Sequence, residues 1–277
     1  MGINVKPIPV NEEEKKIRDK SEKIKHKIAV LSGKGGVGKS SVAVNLAFGL
    51  AEKGYDVGIM DIDVHGPNIP KMLGLQGQTL YADEEEIVPA VVDGNIKVVS
   101  MAFLLPDADS PVIWRGAMKT SLIKQFIKDV QWDNLDYLIV DLPPGTGDEA
   151  LTIAQTLKND VWSLIVTTPQ EVALLDSRKS IEFAKKLEMK MLGVVENMSG
   201  FTCPHCGKSI DLFGAGGGKK AAEDLGVPFI GKIPIEPEMV KVGDEGVSIF
   251  KRAPDNEVVK SFREITDNII KTVEEEN

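Results

Sequence analysis

Short, nearly unbroken apolar runs punctuate this chain, and each is followed by a stretch in which apolar residues recur at helical spacing. The runs at 27–32, 57–62, 96–101, 137–142, 163–167, 191–195 and 229–233 predict strands. The segments 41–53, 119–130, 149–158, 172–187 and 219–225 predict helices. A strand with one wet face alternates apolar and polar residues; these runs do not, so both faces of the sheet are expected to be covered. Strand and helix in regular succession predict a doubly wound α/β domain with a mainly parallel sheet, its ligands at the C-terminal strand ends. Asp93-Gly94-Asn95 predicts a turn and a hairpin-like excursion within 79–101. Residues 1–26 break the rhythm with dense Glu and Lys, which predicts a charged tail, with a short helix at 11–25 outside the core. Residues 27–277 are expected to form a single domain.

Composition narrows the partners. A chain of 277 residues with 42% hydrophobic positions can bury a sizeable α/β core. Its formal net charge of −9 and pI near 5.0 offer no basic footprint, so no nucleic-acid partner is expected. No apolar run approaches the ~18–20 residues of a membrane span, and the first residues are polar, unlike a signal peptide. No membrane partner and a cytoplasmic location are the expectation. Cys203 and Cys206 are the only cysteines, and their spacing points to metal or redox chemistry rather than a disulfide framework.

The most specific motif joins the first strand to the first helix of the domain. Gly33-Lys34-Gly35-Gly36-Val37-Gly38-Lys39-Ser40 fulfils the pattern G-x-x-x-x-G-K-[ST], with Ser41 opening the helix behind it. Glycines let successive backbone N–H groups curl around an anion, and the helix adds roughly half a positive charge. Lys39 supplies a full charge, and Ser40 can hold Mg²⁺. A nucleoside triphosphate, ATP with Mg²⁺, is the expected ligand of residues 33–41. Two further strands end in carboxylates at the same sheet edge: 57–61 in Asp61 and then Asp63, and 137–141 in Asp141. Asp141 is assigned to the Mg²⁺ shell and Asp63 to Mg²⁺ or to positioning the attacking water.

Cys203-Pro204-His205-Cys206-Gly207 forms a tight knuckle in which two thiolates can face one point. An iron–sulfur cluster or a structural zinc normally takes four ligands, so a second subunit across a two-fold axis would complete the set. Other readings stand beside it: zinc shared across a dimer or completed by His205, a dithiol redox pair, or two plain reduced thiols. The redox pair would normally open a helix, yet 207–218 reads as a Gly-rich loop.

The glycine loop resembles the deviant Walker A loop of the MinD/ParA-like P-loop ATPases, in which a second lysine, here Lys34, follows the first glycine. That resemblance implies a homodimer in which Lys34 reaches the partner's phosphates as an arginine finger does, making Lys34, Lys39 and Asp63 the catalytic set. It also implies that 61–70, which includes His65, and 141–148 are switch segments sensing the γ-phosphate. Asn197 then reads the adenine base, and Pro234 and Glu236 close the base pocket.

Joined to that loop, Asn197-Met198-Ser199-Gly200-Phe201-Thr202-Cys203-Pro204-His205-Cys206-Gly207 resembles the Mrp/ApbC family of iron–sulfur cluster carrier ATPases. Trp114-Arg115-Gly116-Ala117-Met118-Lys119, the glycines of 213–218 and Phe229-Ile230-Gly231-Lys232-Ile233-Pro234 agree with it. The resemblance implies a [4Fe–4S] cluster held by Cys203 and Cys206 at the homodimer interface and passed to apo iron–sulfur proteins, with weak, dimer-dependent ATP hydrolysis. Some members carry an extra N-terminal domain or a ferredoxin-like cluster; 1–26 is too short for the first and has no cysteine for the second. Two other classes compete. A positioning ATPase resembling MinD or ParA needs a surface anchor, and the closing residues 272–277 are acidic. A reductase resembling the nitrogenase iron protein takes its two cysteines from distant parts of the sequence.

Overall fold

The computed structural model describes residues 12–64, 66–83, 86–105, 116–158 and 160–275. The described chain opens with α1 (Glu12–Ser21) and β1 (Ile24–Leu31), and the glycine loop leads into α2 (Lys39–Glu52) and β2 (Val57–Asp61). A short α3 (Ile69–Met72) precedes two antiparallel strand pairs, β3 (Tyr81–Asp83) with β4 (Glu86–Val88) and β5 (Ala90–Val92) with β6 (Ile96–Ser100). Then α4 (Gly116–Lys128), β7 (Leu135–Asp141), α5 (Asp148–Thr156), β8 (Trp162–Thr167), α6 (Glu171–Lys186) and β9 (Lys190–Glu196) alternate. A two-residue pair, β10 (Phe201–Thr202) and β11 (Ser209–Ile210), interrupts the alternation before α7 (Gly217–Leu225) and β12 (Phe229–Lys232). Three helices close the chain: α8 (Pro237–Glu245), α9 (Ile249–Arg252) and α10 (Glu257–Glu275).

Eight strands form one sheet in the order β12-β9-β8-β1-β7-β2-β6-β5, parallel throughout except for β5 at the edge. The chain builds to one side of β1 through β7, β2 and β6, and to the other through β8, β9 and β12. That reversal beside β1 opens a crevice at its C-terminal end. Both faces are covered, as the unbroken apolar runs require. One core packs α2, α3, α8, α9 and α10 against the sheet, and the other packs α1, α4, α5, α6 and α7. The turn at Asp93-Gly94 adopts positive φ at both residues, 55° and 84°, which matches the twist a tight hairpin needs between β5 and β6.

The N-terminal helix corrects the expectation of a tail outside the core. Ile17 of α1 is 6% exposed within the α4–α5 core, and ion pairs of Lys128 with Glu13 and Lys16 with Asp129 clamp α1 to α4. β1 also starts at Ile24 rather than 27, pairing with Leu135. A single buried isoleucine in a highly charged helix leaves almost no periodic signal, so its docking is visible only in three dimensions.

Candidate functional site

Beyond β1 the chain reverses into α2, and glycine is needed where it does so. Gly36 and Gly38 both sit at φ 81°, in the left-handed region. Gly38 is also crowded, since a Cβ there would lie 2.2 Å from Asn197 Nδ2. The first turn of α2 then presents its N–H groups and the positive end of its dipole to the loop. Lys39 Nζ donates to Asp141 Oδ1 at 2.6 Å and to Ser40 Oγ at 3.3 Å, and Ser40 Oγ donates to Asp141 Oδ2 at 2.6 Å. Lysine, hydroxyl and carboxylate from β7 and α2 therefore form one buried unit at the crevice floor.

The neighbouring acid differs in kind. Asp61 pairs in register with Asp141 and is fully buried; Ser100 Oγ donates to it at 2.7 Å and the Asp63 N–H at 3.2 Å. Burial, reinforced by the charge of Asp141, pushes Asp61 up to about 8, against the opposing pull of Ser100, Asp63 and Lys39. Burial also raises Asp141, with Lys39 and Ser40 opposing. Asp63, 8% exposed, borders a cavity of about 200 Å³ together with Lys34, Lys39, Ser40, Asn68 and Pro144. Ser40 hydroxyl beside carboxylate is an all-oxygen donor set, which suits Mg²⁺.

A second cavity of about 410 Å³ shares Gly38, Ser41, Asn68 and Met72 with the first and extends to Asn197, Pro234 and Glu236. Asn197 Nδ2 donates to the Val37 carbonyl of the loop at 2.9 Å. The larger lobe is mostly apolar, walled by Met198, Phe213, Ile233 and Met239, as a stacked base requires, whereas the smaller is ringed by N–H groups and charge. Glu236 lines the lobe, but its carboxylate is committed elsewhere: Oε1 caps α8 at the Glu238 N–H, 3.1 Å, and Oε2 accepts from Asn256 Nδ2 at 3.0 Å. A larger cleft of about 720 Å³ lies between α1, α4 and α5; none of the glycine loop borders it, and size alone does not make it the site.

The cysteines sit in the β10–β11 hairpin. The Cys203 N–H donates to the Lys208 carbonyl and the Gly207 N–H to the Cys203 carbonyl, both at 2.9 Å, with Gly207 at φ 68°. N–H groups of His205 and then Cys206 point at the Cys203 sulfur and, with the Cys206 side chain, hold its thiol below the ordinary value. No helix begins at Cys206; α7 starts only at Gly217. His205 is exposed, and among the described residues no cluster of three or more His, Cys, Asp or Glu forms a metal-holding group.

The glycine loop and the segment that follows the knuckle converge on the turn between β8 and α6. Lys34 Nζ lies 3.5 Å from Gln170 Oε1 in that turn. The start of α7, downstream of the knuckle, rests on the same turn, so tightly that a Cβ on Gly217 would lie 2.6 Å from the Pro169 carbonyl and from Leu174 Cδ1. Val172 and Leu175 of α6, just after that turn, are 66% and 63% exposed, and Leu212 and Phe213, between the hairpin and α7, are exposed as well.

A ParA family model, described as NUBPL iron-transfer P-loop NTPase, matches residues 23–270. This chain belongs to that family. An iron-sulfur cluster carrier protein of Saccharolobus solfataricus is 53% identical over 94% of this chain and 88% of its own. The cytosolic Fe-S cluster assembly factor CFD1 of Saccharomyces cerevisiae is 47% identical over 87% and 83%. Among solved structures, a nucleotide-binding protein of Archaeoglobus fulgidus in complex with ADP is 40% identical, with a TM-score of 0.74 over 84% of this chain and 91% of that one.

In this iron-transfer P-loop NTPase the structure brings Lys39, Ser40 and Asp141 into direct contact and sets Lys34, Asp63, Asn197, Pro234 and Glu236 around the two lobes. Cys203 and Cys206 stand apart on their own hairpin. His65, Trp114 and Arg115 lie outside the described residues. Sequence reading missed two side chains. Gln170 gives no signal beyond following Pro169. Glu196, whose buried carboxylate accepts from Ser199 Oγ and the Gly216 and Gly218 N–H groups, had one: an acid at a strand end followed by a glycine-rich helix start, where a partner anion belongs.

Proposed function

We propose that this NTPase binds and hydrolyses ATP and carries a [4Fe–4S] cluster between two copies of itself, each contributing Cys203 and Cys206, for delivery to apo iron–sulfur proteins. The observation that carries this reading is a shared face: Lys34 and the start of α7, which follows the cysteine hairpin, both reach the turn at Pro169 and Gln170, just ahead of the exposed Val172 and Leu175. Two thiolates per chain are half of what a cluster needs, and a two-fold axis at this face supplies the rest. The names of the relatives support the cargo and a cytoplasmic location.

On the nucleotide side, the N–H groups of residues 33–41 and Lys39 would hold the phosphates. Ser40, with Asp141 and Asp63 behind it, would hold Mg²⁺, whose chemistry there is to neutralise phosphate charge. Asp63 would orient the attacking water, and Asn197 with Pro234 would seat the base. Lys34 of one chain would stabilise the charge growing on the partner's transferring phosphoryl group. Closure on ATP and ligation of the cluster then act on one interface, so each alters the other's affinity.

The test is anaerobic loading with iron and sulfide, followed by transfer to an apo iron–sulfur enzyme whose activity reports delivery. Wild type is expected to activate the acceptor, and Cys203→Ser and Cys206→Ser to retain neither iron nor transfer. Full iron retention in either variant would overturn the reading.

A further inference from the structure

One carboxylate lies between the base lobe and the cysteine knuckle. Glu196 ends β9 and is 1% exposed. Its Oε1 accepts from Ser199 Oγ at 2.6 Å and from the Gly216 N–H at 3.0 Å, and its Oε2 accepts from the Gly218 N–H at 2.5 Å. Ser199 precedes Cys203 and the two glycines follow Cys206, so a single side chain clasps both ends of the segment that carries the thiols. The next residue faces the other way: Asn197 donates through Nδ2 to Val37 in the glycine loop and through its N–H to the Thr167 carbonyl. Immediately after, Met198 is held at φ 57°, a left-handed conformation that a non-glycine residue keeps only where its surroundings fix it.

We propose that Glu196 is the positioning residue through which occupancy of the nucleotide site reaches the cysteine pair. What the pair carries rests on the function proposed above; the link itself does not. A ligand that displaces Val37 or Asn197 moves the end of β9. With one end of the loop free, slack would absorb that movement. With both ends tied to one rigid carboxylate, the movement passes to the hairpin and changes the exposure of its thiols. An amide at this position keeps the volume but turns an NH₂ group toward one of the two glycine N–H donors, so Glu196→Gln loosens the downstream end of the clasp. Linkage requires the reciprocal effect: occupancy of the thiols shifts nucleotide affinity by the same factor.

The experiment uses the full chain, reduced and free of iron, and measures the rate of alkylation of Cys203 and Cys206 by iodoacetamide with and without a saturating non-hydrolysable ATP analogue and Mg²⁺. In wild type the nucleotide is expected to change that rate about fivefold or more. In Ser199→Ala, which removes the one donor at the upstream end, the ratio is expected to fall to near one, and in Glu196→Gln, which keeps an acceptor for only one of the two glycine N–H groups, to an intermediate value. A purely structural role would move both rates together and leave the ratio unchanged. Wild-type behaviour of the ratio in Glu196→Gln, or no nucleotide effect in wild type, would overturn the proposal. Should Glu196→Gln not fold, an unaltered ratio in Ser199→Ala overturns it instead. Failure of iron loading with an intact ratio would remove the cargo and leave the link; iron loading with a flat ratio would do the reverse.

Discussion

Lys39 and Ser40 share the two oxygens of Asp141, and that sharing fixes the consequences of single substitutions. Lys39→Ala is expected to lower ATP turnover by about 10²–10³-fold in a steady-state phosphate-release assay, because a charge aimed at the phosphates is lost while Asp141 stays buried without its cation. Turnover within about threefold of wild type would contradict that role. Gly38→Ala is expected to weaken nucleotide binding and lower the melting temperature together, since the added Cβ meets Asn197 Nδ2 at 2.2 Å and φ 81° disfavours alanine. Residues such as these were legible in the sequence because the spacing G-x-x-x-x-G-K-[ST] is that of a phosphate-binding loop. Asp61 was legible only as an acid at a strand end. That it is pushed up to about 8 depends on its burial and on Asp141, brought beside it from another strand, against the pull of Ser100.

Among the elements, α10 lies across α2 through an interface that tolerates little change. Its buried positions Val258, Phe262, Ile265, Ile269 and Val273 follow helical spacing, a signal the sequence reading above did not use, and its partner left no signal at all. Contact is closest where Gly49 of α2 faces Thr266, whose Oγ1 would lie 2.4 Å from an added Cβ. Gly49→Ala is expected to cost about 1–3 kcal/mol in denaturant unfolding, and Thr266→Ala in the same chain to recover part of it. At the rim Arg263 grips Glu52 with two hydrogen bonds, 2.7 and 2.8 Å, and holds its carboxyl below the ordinary value. A lowered carboxylate stabilises the fold above its unfolded pKa and loses that contribution as pH falls through the folded value. The stability difference between wild type and Glu52→Gln should therefore be a few tenths of a kcal/mol near neutrality, since the pair is partly exposed, and vanish in acid. A difference independent of pH would contradict it. The parallel strands were read to within about three residues at each end because buried parallel strands are apolar throughout, whereas the two-residue β10 and β11 carry no such run. α1 was not, because its attachment consists of one isoleucine and ion pairs to another helix.

Over the whole molecule, the glycine loop and the segment that follows the cysteine hairpin, more than 160 residues apart in the chain, meet at the turn containing Pro169 and Gln170. The sequence announced both motifs, but their approach to one turn follows from strand order, which places β8 beside β1 and β9 beside β8. If Lys34 acts on the partner, chains carrying Lys34→Ala and chains carrying Lys39→Ala, each nearly inactive, should regain activity when mixed. The hybrid dimer unites one intact phosphate site with one intact reaching lysine; no recovery would assign Lys34 to its own chain. The central claim is that each chain is half of one inorganic site. Native mass spectrometry of the anaerobically loaded protein tests it most directly: the account expects one [4Fe–4S] cluster on each pair of chains and none on single chains, and a single chain carrying a complete cluster would contradict it.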